Sequence, residues 1–247
     1  LFIGIKGLLK GYFTLRKIFE MKSWQESKFY NISAGAYKEN QDKFIALLET
    51  NSEAKILDIG CNSGEFTARI SERVNTKQVY GIEIIADEAM AAINKGIKVE
   101  ISDANKPFPF EDDFFDIVTA NQSVEHLYDS SNFFKEVYRV LKKNGSFIIS
   151  TLNLCSWHNI VCMILGMQPP GMHLCEVQMG NFLSGTETHG HIKLFSLNAV
   201  KDILKYYNFK VEKTNGAGYY PFPTPISKAI SFLDKEHSVY ITVKARK

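Results

Sequence analysis

The sequence predicts an α/β protein built on a parallel, doubly wound sheet, and three observations carry that prediction. Between Ala54 and Thr151, apolar runs of strand length alternate with amphipathic segments of helix length. The first of those runs carries an acid, Asp58, near its end and breaks at once into a turn bracketed by Gly60 and Gly64. At 247 residues and 45% hydrophobic content, the chain is long enough for one large core and has no disorder-like composition.

Taken in order, residues 1 to 24 alternate apolar side chains with Lys6, Lys10, Arg16, Lys17 and Lys22. That is too much charge for a spanning helix, but it suits a basic amphipathic helix. Such a helix lies on an anionic membrane surface or packs on its own domain. We therefore divide the chain into a helical extension, 1–30, and one domain, 31–247, with an insertion at 152–195. From Ser33 to Leu48 the positions of Tyr37, Phe44, Leu47 and Leu48 fit a helix packed on the sheet.

Ile56, Leu57 and Ile59 suit a strand buried on both faces, and Phe66, Ile70 and Val74 mark the helix after the turn. Asn62 stands where a dinucleotide fingerprint has its middle glycine. Asn tolerates left-handed backbone, so the turn survives, but the close approach that a pyrophosphate needs does not. An NAD-dependent oxidoreductase is thereby disfavoured. Val79 to Glu83 is the second strand, and Glu83 follows Asp58 by 25 residues, where a carboxylate could accept hydrogen bonds from both hydroxyls of a ribose. Ala86 to Asn94 reads as a helix with Gly96 as its left-handed cap, and Val99 to Ser102 as a third strand closed by Asp103 and Ala104.

The fourth strand, Phe114 to Val118, leads into Asn121-Gln122-Ser123-Val124-Glu125-His126. Ser130 or Ser131 is expected to cap the next helix, with Phe133 or Phe134, Val137 and Leu141 as its buried stripe. Asn144-Gly145 would end that helix before a fifth strand, Ser146 to Thr151. Residues 152–190 break the rhythm and hold four of the six methionines. So soft and apolar an insertion suits a lid over an apolar substrate, a core extension or a homodimer contact. Leu197 to Tyr207 reads as a helix starting near Ser196, Phe209 to Lys213 and Val239 to Lys244 as the last two strands, and Gly216 to Ser238 as an aromatic, proline-rich loop.

The motifs around Asp58–Gly64, Glu83, Asp103 and Asn121–His126, in that order, resemble those of class I S-adenosylmethionine-dependent methyltransferases, in the small-molecule group that includes quinone and sterol methyltransferases. The resemblance covers about residues 54 to 151, with a weaker match at His191 to Phe195 and Asn208-Phe209. It implies a Rossmann-like, seven-stranded sheet with an antiparallel last strand. It also implies S-adenosylmethionine as cofactor, leaving as S-adenosylhomocysteine. Gly60 and Gly64 would surround the methionine moiety, Asp58 would order that loop and the amino group, and Glu83 would take the ribose hydroxyls. Asp103 and Ala104 would meet the adenine edge, and Asn121 and Gln122 the sulfonium region. Cys61, Asn62 and Ile84 complete the expected cofactor-binding set.

Methyl transfer to a hydroxyl or amine releases a proton, so a base is needed beside the acceptor. His126 and His191 are the candidate catalytic residues, because imidazole titrates near neutrality. Tyr30, Tyr37, Trp157 and Tyr219 are the expected substrate contacts. Cysteine and histidine crowd into 155–191, but no pair has a short metal-ligand spacing on both sides, so no metal is expected.

A formal net charge of +2 leaves no electrostatic footprint for nucleic acid. Asn121-Gln122-Ser123-Val124 also replaces the Asn-Pro-Pro-Tyr of base N-methyltransferases. The expected partner is a small, partly apolar acceptor, methylated on oxygen first, in the cytoplasm or at the membrane periphery. Free cysteines without a C-x-x-C pair agree with a reducing compartment. The competing reading is a non-catalytic binding or scaffold protein that kept the fold and lost the reaction.

Overall fold

The computed structural model describes residues 28–247, with side chains from Ser33 onward. The expected helix over residues 1 to 24 and the side chain of Tyr30 lie outside the described residues. Seven strands form one sheet: β1 (Ile56–Ile59), β2 (Val79–Glu83), β3 (Lys98–Ile101), β4 (Phe115–Asn121), β5 (Leu141–Leu152), β6 (Lys210–Ala217) and β7 (Tyr240–Arg246). Their order is β3-β2-β1-β4-β5-β7-β6. The first five pair in parallel, and β7 runs antiparallel between β5 and β6. This is the doubly wound sheet expected from the sequence, including its antiparallel last strand.

Around the sheet lie α1 (Lys28–Ile45), α2 (Glu65–Val74), α3 (Ala86–Asn94), α4 (Ser130–Val140), α5 (Trp157–Ile164), α6 (Leu197–Tyr206) and α7 (Thr224–Leu233). Because β1, β4 and β5 are central, their side chains alternate between two buried layers. Leu57, Ile59, Val118, Phe147 and Ile149 pack with Phe133, Phe134 and Val137 of α4 and with Val200 and Leu204 of α6. Ile56, Ile117 and Ile148 face the other way, onto Phe44, Ile70 and Val74 of α1 and α2. Phe147 lies between Phe133, Phe134 and Phe209, with ring centroids 5.6–6.4 Å apart.

Several boundaries differ from the sequence reading. Asp129, not Ser130 or Ser131, caps α4, its carboxylate accepting the Asn132 N–H at 2.9 Å. That helix ends at Val140, because Leu141 already pairs with Phe115 as the start of β5. Asn144, in left-handed backbone, and Gly145 instead fall within an irregular stretch of β5, between Leu141 paired to Phe115 and Ser146 paired to Ile117. The sixth strand runs four residues beyond Lys213, and the loop expected over Gly216 to Ser238 contains α7. Pro225 sits in the first turn of α7, where its missing N–H leaves no helix bond unmade.

Phe147→Ala should destabilise the protein by about 3–5 kcal/mol through the cavity left among the three neighbouring rings. The midpoint of urea unfolding checks this, and a loss below about 1 kcal/mol would show that the aromatic layer collapses onto the gap.

Candidate active site

All the acidic and amide side chains singled out at strand ends lie on one side of the sheet, because parallel strands end together. Asp58 is buried at the end of β1, where its two oxygens accept the hydroxyl protons of Thr67 and Thr119 at 2.6 and 2.7 Å. It thereby ties β1 to the first turn of α2 and to β4. Burial, opposed by those two hydroxyls, pushes its pKa up to about 6. Glu83 ends β2, and its carboxylate accepts three backbone N–H groups, from Asn62, Ile84 and Ile85, all at 2.9 Å. One side chain thus fixes the loops that follow two neighbouring strands.

Between them runs the glycine turn. Gly60 and Gly64 have φ of 76° and 79°, and Asn62, at φ 47°, holds the left-handed position expected of it. A Cβ on Gly60 would come within 2.8 Å of Ser123 Cβ, so the loops after β1 and β4 touch only because that position is glycine. Gly81, not singled out from the sequence, gives Cys61 its place, since a Cβ there would lie 2.5 Å from Cys61 Sγ. Burial pushes the Cys61 thiol up to about 12, so it is a neutral packing group.

Asp103 follows β3 and accepts both the backbone and side-chain N–H groups of Asn105 at 2.9 and 2.8 Å. Those bonds hold its pKa below the usual range, helped by the hydroxyl of Tyr128. Ala104 packs on the core, while Ile84 and Tyr128 are exposed beside these acids. Tyr128 was not expected from the sequence, because it lies 25 residues beyond the acid that it touches.

At the end of β4, Asn121 Oδ1 accepts from the Asn40 side-chain amide at 3.3 Å, and Gln122 sits in left-handed backbone at φ 56°. With its amide oriented to satisfy both ends, Gln122 donates to Glu125 at 3.1 Å and accepts the Thr151 N–H at 3.3 Å. Glu125 is fully buried and accepts the Thr151 hydroxyl at 2.9 Å, and burial pushes its pKa up to about 7.

His126 and His191, 65 positions apart in the chain, meet with ring centroids 4.8 Å apart. The Ile192 and Lys193 N–H groups donate to the Glu125 carbonyl, and Lys193 Nζ reaches the Tyr128 carbonyl, which straps the end of the insertion onto the exit of β4. His173 stacks on His191 at 4.4 Å. Burial, reinforced by neighbouring imidazoles, lowers His191 to about 3 and lowers His126 as well. Donor atoms of Glu125, His126 and His191 lie within 4.8 Å of one another, a group that could hold a cation although sequence spacing gave no reason to expect one.

The remaining expected substrate contacts fall into two groups. Trp157 lies on the His237 ring and hydrogen-bonds Tyr219, whose hydroxyl donates to Asp234. Tyr37 instead packs edge-on against Tyr240, which bonds Tyr220.

A methionine-derived nucleoside fits these residues on one observation: beside the Gly60 turn, Ser123 Oγ is buried with no hydrogen-bond partner among the described residues. Fold and turn together are similar to those of class I S-adenosylmethionine-dependent methyltransferases. Residues 57–149 match the family described as a methyltransferase domain.

Among curated relatives, the chain is 28% identical over 180 residues to the mitochondrial ubiquinone biosynthesis O-methyltransferase of Rattus norvegicus, covering 69% of this chain and 48% of that one. It is 27% identical to the malonyl-[acyl-carrier protein] O-methyltransferase of a Marinomonas strain, covering 51% and 48%. The chain thus spans about half the length of these relatives. The solved structure of an S-adenosylmethionine-dependent methyltransferase from Mesorhizobium loti shares the fold with a TM-score of 0.59 at 17% identity, covering 83% of this chain and 96% of that one. No helix among the described residues is long and apolar enough to cross a membrane.

Burial holds His158 at about 4, below the ordinary imidazole value of 6.5. The unfolded chain therefore binds the extra proton between pH 6.5 and 4, so this contribution to stability is full above pH 6.5 and lost on acidification. Relative to His158→Phe, the parent should lose about 3 kcal/mol over that interval. Urea midpoints of both proteins across pH 4–7 test this, and parallel curves would show that the imidazole titrates normally.

Proposed function

We propose that this chain transfers the methyl group of S-adenosylmethionine to a small, partly apolar acceptor, on oxygen in the first instance. The observation that carries the reading is the junction at which Glu83 accepts the N–H groups of Asn62, Ile84 and Ile85 beside the Gly60–Gly64 turn. It sets the Glu83 carboxylate, the exposed Ile84 side chain and the glycine turn side by side where a nucleoside would lie. The O-methyltransferases named among the relatives support oxygen as the accepting atom.

When bound, the cofactor supplies an electrophilic methyl group, and the protein's part is to hold two reactants in line. Holding them so is worth on the order of 7–11 kcal/mol. In this reading Glu83 meets the ribose hydroxyls through Oε2, which carries only the Asn62 N–H while Oε1 carries those of Ile84 and Ile85; Asp103 and Ala104 meet the adenine edge, and the loop of residues 60–64 the amino-acid end. Asp58 orders the turn, its two oxygens being occupied by Thr67 and Thr119.

The proton released by the acceptor goes to His126. Of the two histidines, His191 at about 3 is too weak a base at neutral pH, so its part is to pack and orient. Trp157, Tyr37, Tyr219 and the insertion 152–195 would enclose the acceptor. Contact of residues 1–24 with a membrane surface, and pairing of two chains through the insertion, belong to the same proposal.

Thermal unfolding with S-adenosylhomocysteine at about 100 times its dissociation constant should add roughly 2.7 kcal/mol of stability. For a chain of this size the midpoint should rise by roughly 5–10 °C. NAD should give no shift, and Glu83→Ala should shrink the response. A parent protein free of carried-over ligand that does not respond would favour the scaffold reading instead.

A further inference from the structure

Asn40 is fully buried in α1, outside the segment matched by the methyltransferase family, yet it is bonded to the strand ends that form the site. Asn121 of β4, Ser150 of β5 and Thr242 of β7 stand in register, each paired with the next, as one row across three neighbouring strands. Asn40 spans this row. Its carbonyl oxygen accepts the Ser150 and Thr242 hydroxyl protons, each at 3.0 Å, and its amide nitrogen donates to Asn121 Oδ1 at 3.3 Å. One strand further, Asn215 pairs with Thr242 and donates to the Lys43 carbonyl of the same helix.

A buried carboxamide is costly unless bonded, and an apolar residue would seal this helix on the sheet without that cost. What an apolar residue could not do is hold the amide of Asn121. Because Asn40 donates to the oxygen of that amide, the Asn121 nitrogen is the end of it that α1 does not hold.

We propose that Asn40 is a positioning residue for the donor site, acting through Asn121 by fixing which end of its amide meets the bound nucleoside. This rests on the methyltransferase reading and extends it to α1, which thereby becomes part of the site. Asn40 does not touch the ligand; its effect passes through a single hydrogen bond.

The test is a double-mutant cycle read as the dissociation constant of S-adenosylhomocysteine by calorimetry. Asn121→Ala and Asn40→Leu should each weaken binding by roughly tenfold, the size expected for one lost hydrogen bond in a shielded place. The double variant should be no weaker than Asn121→Ala alone. To separate positioning from stability, Asn40→Leu is combined with Ser150→Ala and Thr242→Val, which removes the hydroxyls left without an acceptor. This triple variant should recover most of the thermal midpoint and none of the affinity.

If Asn40→Leu does not fold, Asn40→Asp keeps an acceptor for both hydroxyls while removing the amide donor, and it should show the same weakened binding. Affinity that returns with stability, or additive losses in the cycle, would overturn the inference while leaving the methyltransferase reading intact. A folded parent that binds no S-adenosylhomocysteine would overturn both.

Discussion

The carboxylate of Glu83 resting on three backbone N–H groups is the contact that holds the loops after β1 and β2 together, and the proposed donor site depends on it. Backbone N–H groups at the end of a parallel strand have left the ladder and need acceptors. A buried carboxylate needs donors just as much. Each requirement meets the other at Asn62, Ile84 and Ile85. Bonds to a charged acceptor are about twice as strong as neutral ones, so two loops of irregular backbone are held without secondary structure of their own. Gly60 and Gly81 then make that closeness sterically allowed, one against Ser123 and the other against Cys61.

The same logic, with neutral groups, governs the opposite flank. Helix α1 crosses the ends of β4, β5, β7 and β6 and is bonded to them by Asn40, Lys43 and their partners rather than by apolar packing alone. Lys43 also bonds the Ser231 hydroxyl of α7, while Glu39, buried beside it, forms an ion pair with Lys43 and accepts the Ser231 hydroxyl. Polar contacts of this kind fix orientation because they are directional, whereas apolar packing tolerates sliding. The helix can therefore sit on the sheet in one register.

The strand-end residues proposed for the donor half were legible because their pattern is local. Asp58, Gly60, Gly64, Glu83 and Asp103 each sit at a strand end, where strand length, glycine and acid leave a pattern in a few consecutive residues. The second strand was located to the residue, and the left-handed backbone at Asn62 and Gly96 was anticipated from residue type. What the sequence hid was of two kinds. One was competition between adjacent signals: Asp129 and Ser130 are both good caps, and the carboxylate of Asp129 takes the Asn132 N–H. Prolines that read as loop in 221–225 also start α7. The other was long-range pairing. Nothing in the spacing of His126 and His191 says that the insertion folds back along Glu125 to bring them together, and nothing around Asn40 marks it as the hub of a row formed by three strands.

This division matters for what relatives can teach. The segment that matches the methyltransferase-domain family, residues 57–149, holds nearly all of the residues proposed for the donor side. The residues proposed for the acceptor side lie mostly outside it: α1, the insertion that brings His191, and the stretch around Tyr219, α7 and His237. Donor recognition is constrained by backbone geometry, which a parallel sheet imposes on many sequences alike. Acceptor recognition depends on side chains carried by segments that no strand ladder fixes, so it can change without disturbing the turn. A relative's name is therefore better evidence for the methyl donor than for the methylated molecule. The burial that weakens His191 as a base points the same way, since the insertion here folds onto its own histidines, His173 stacking on His191.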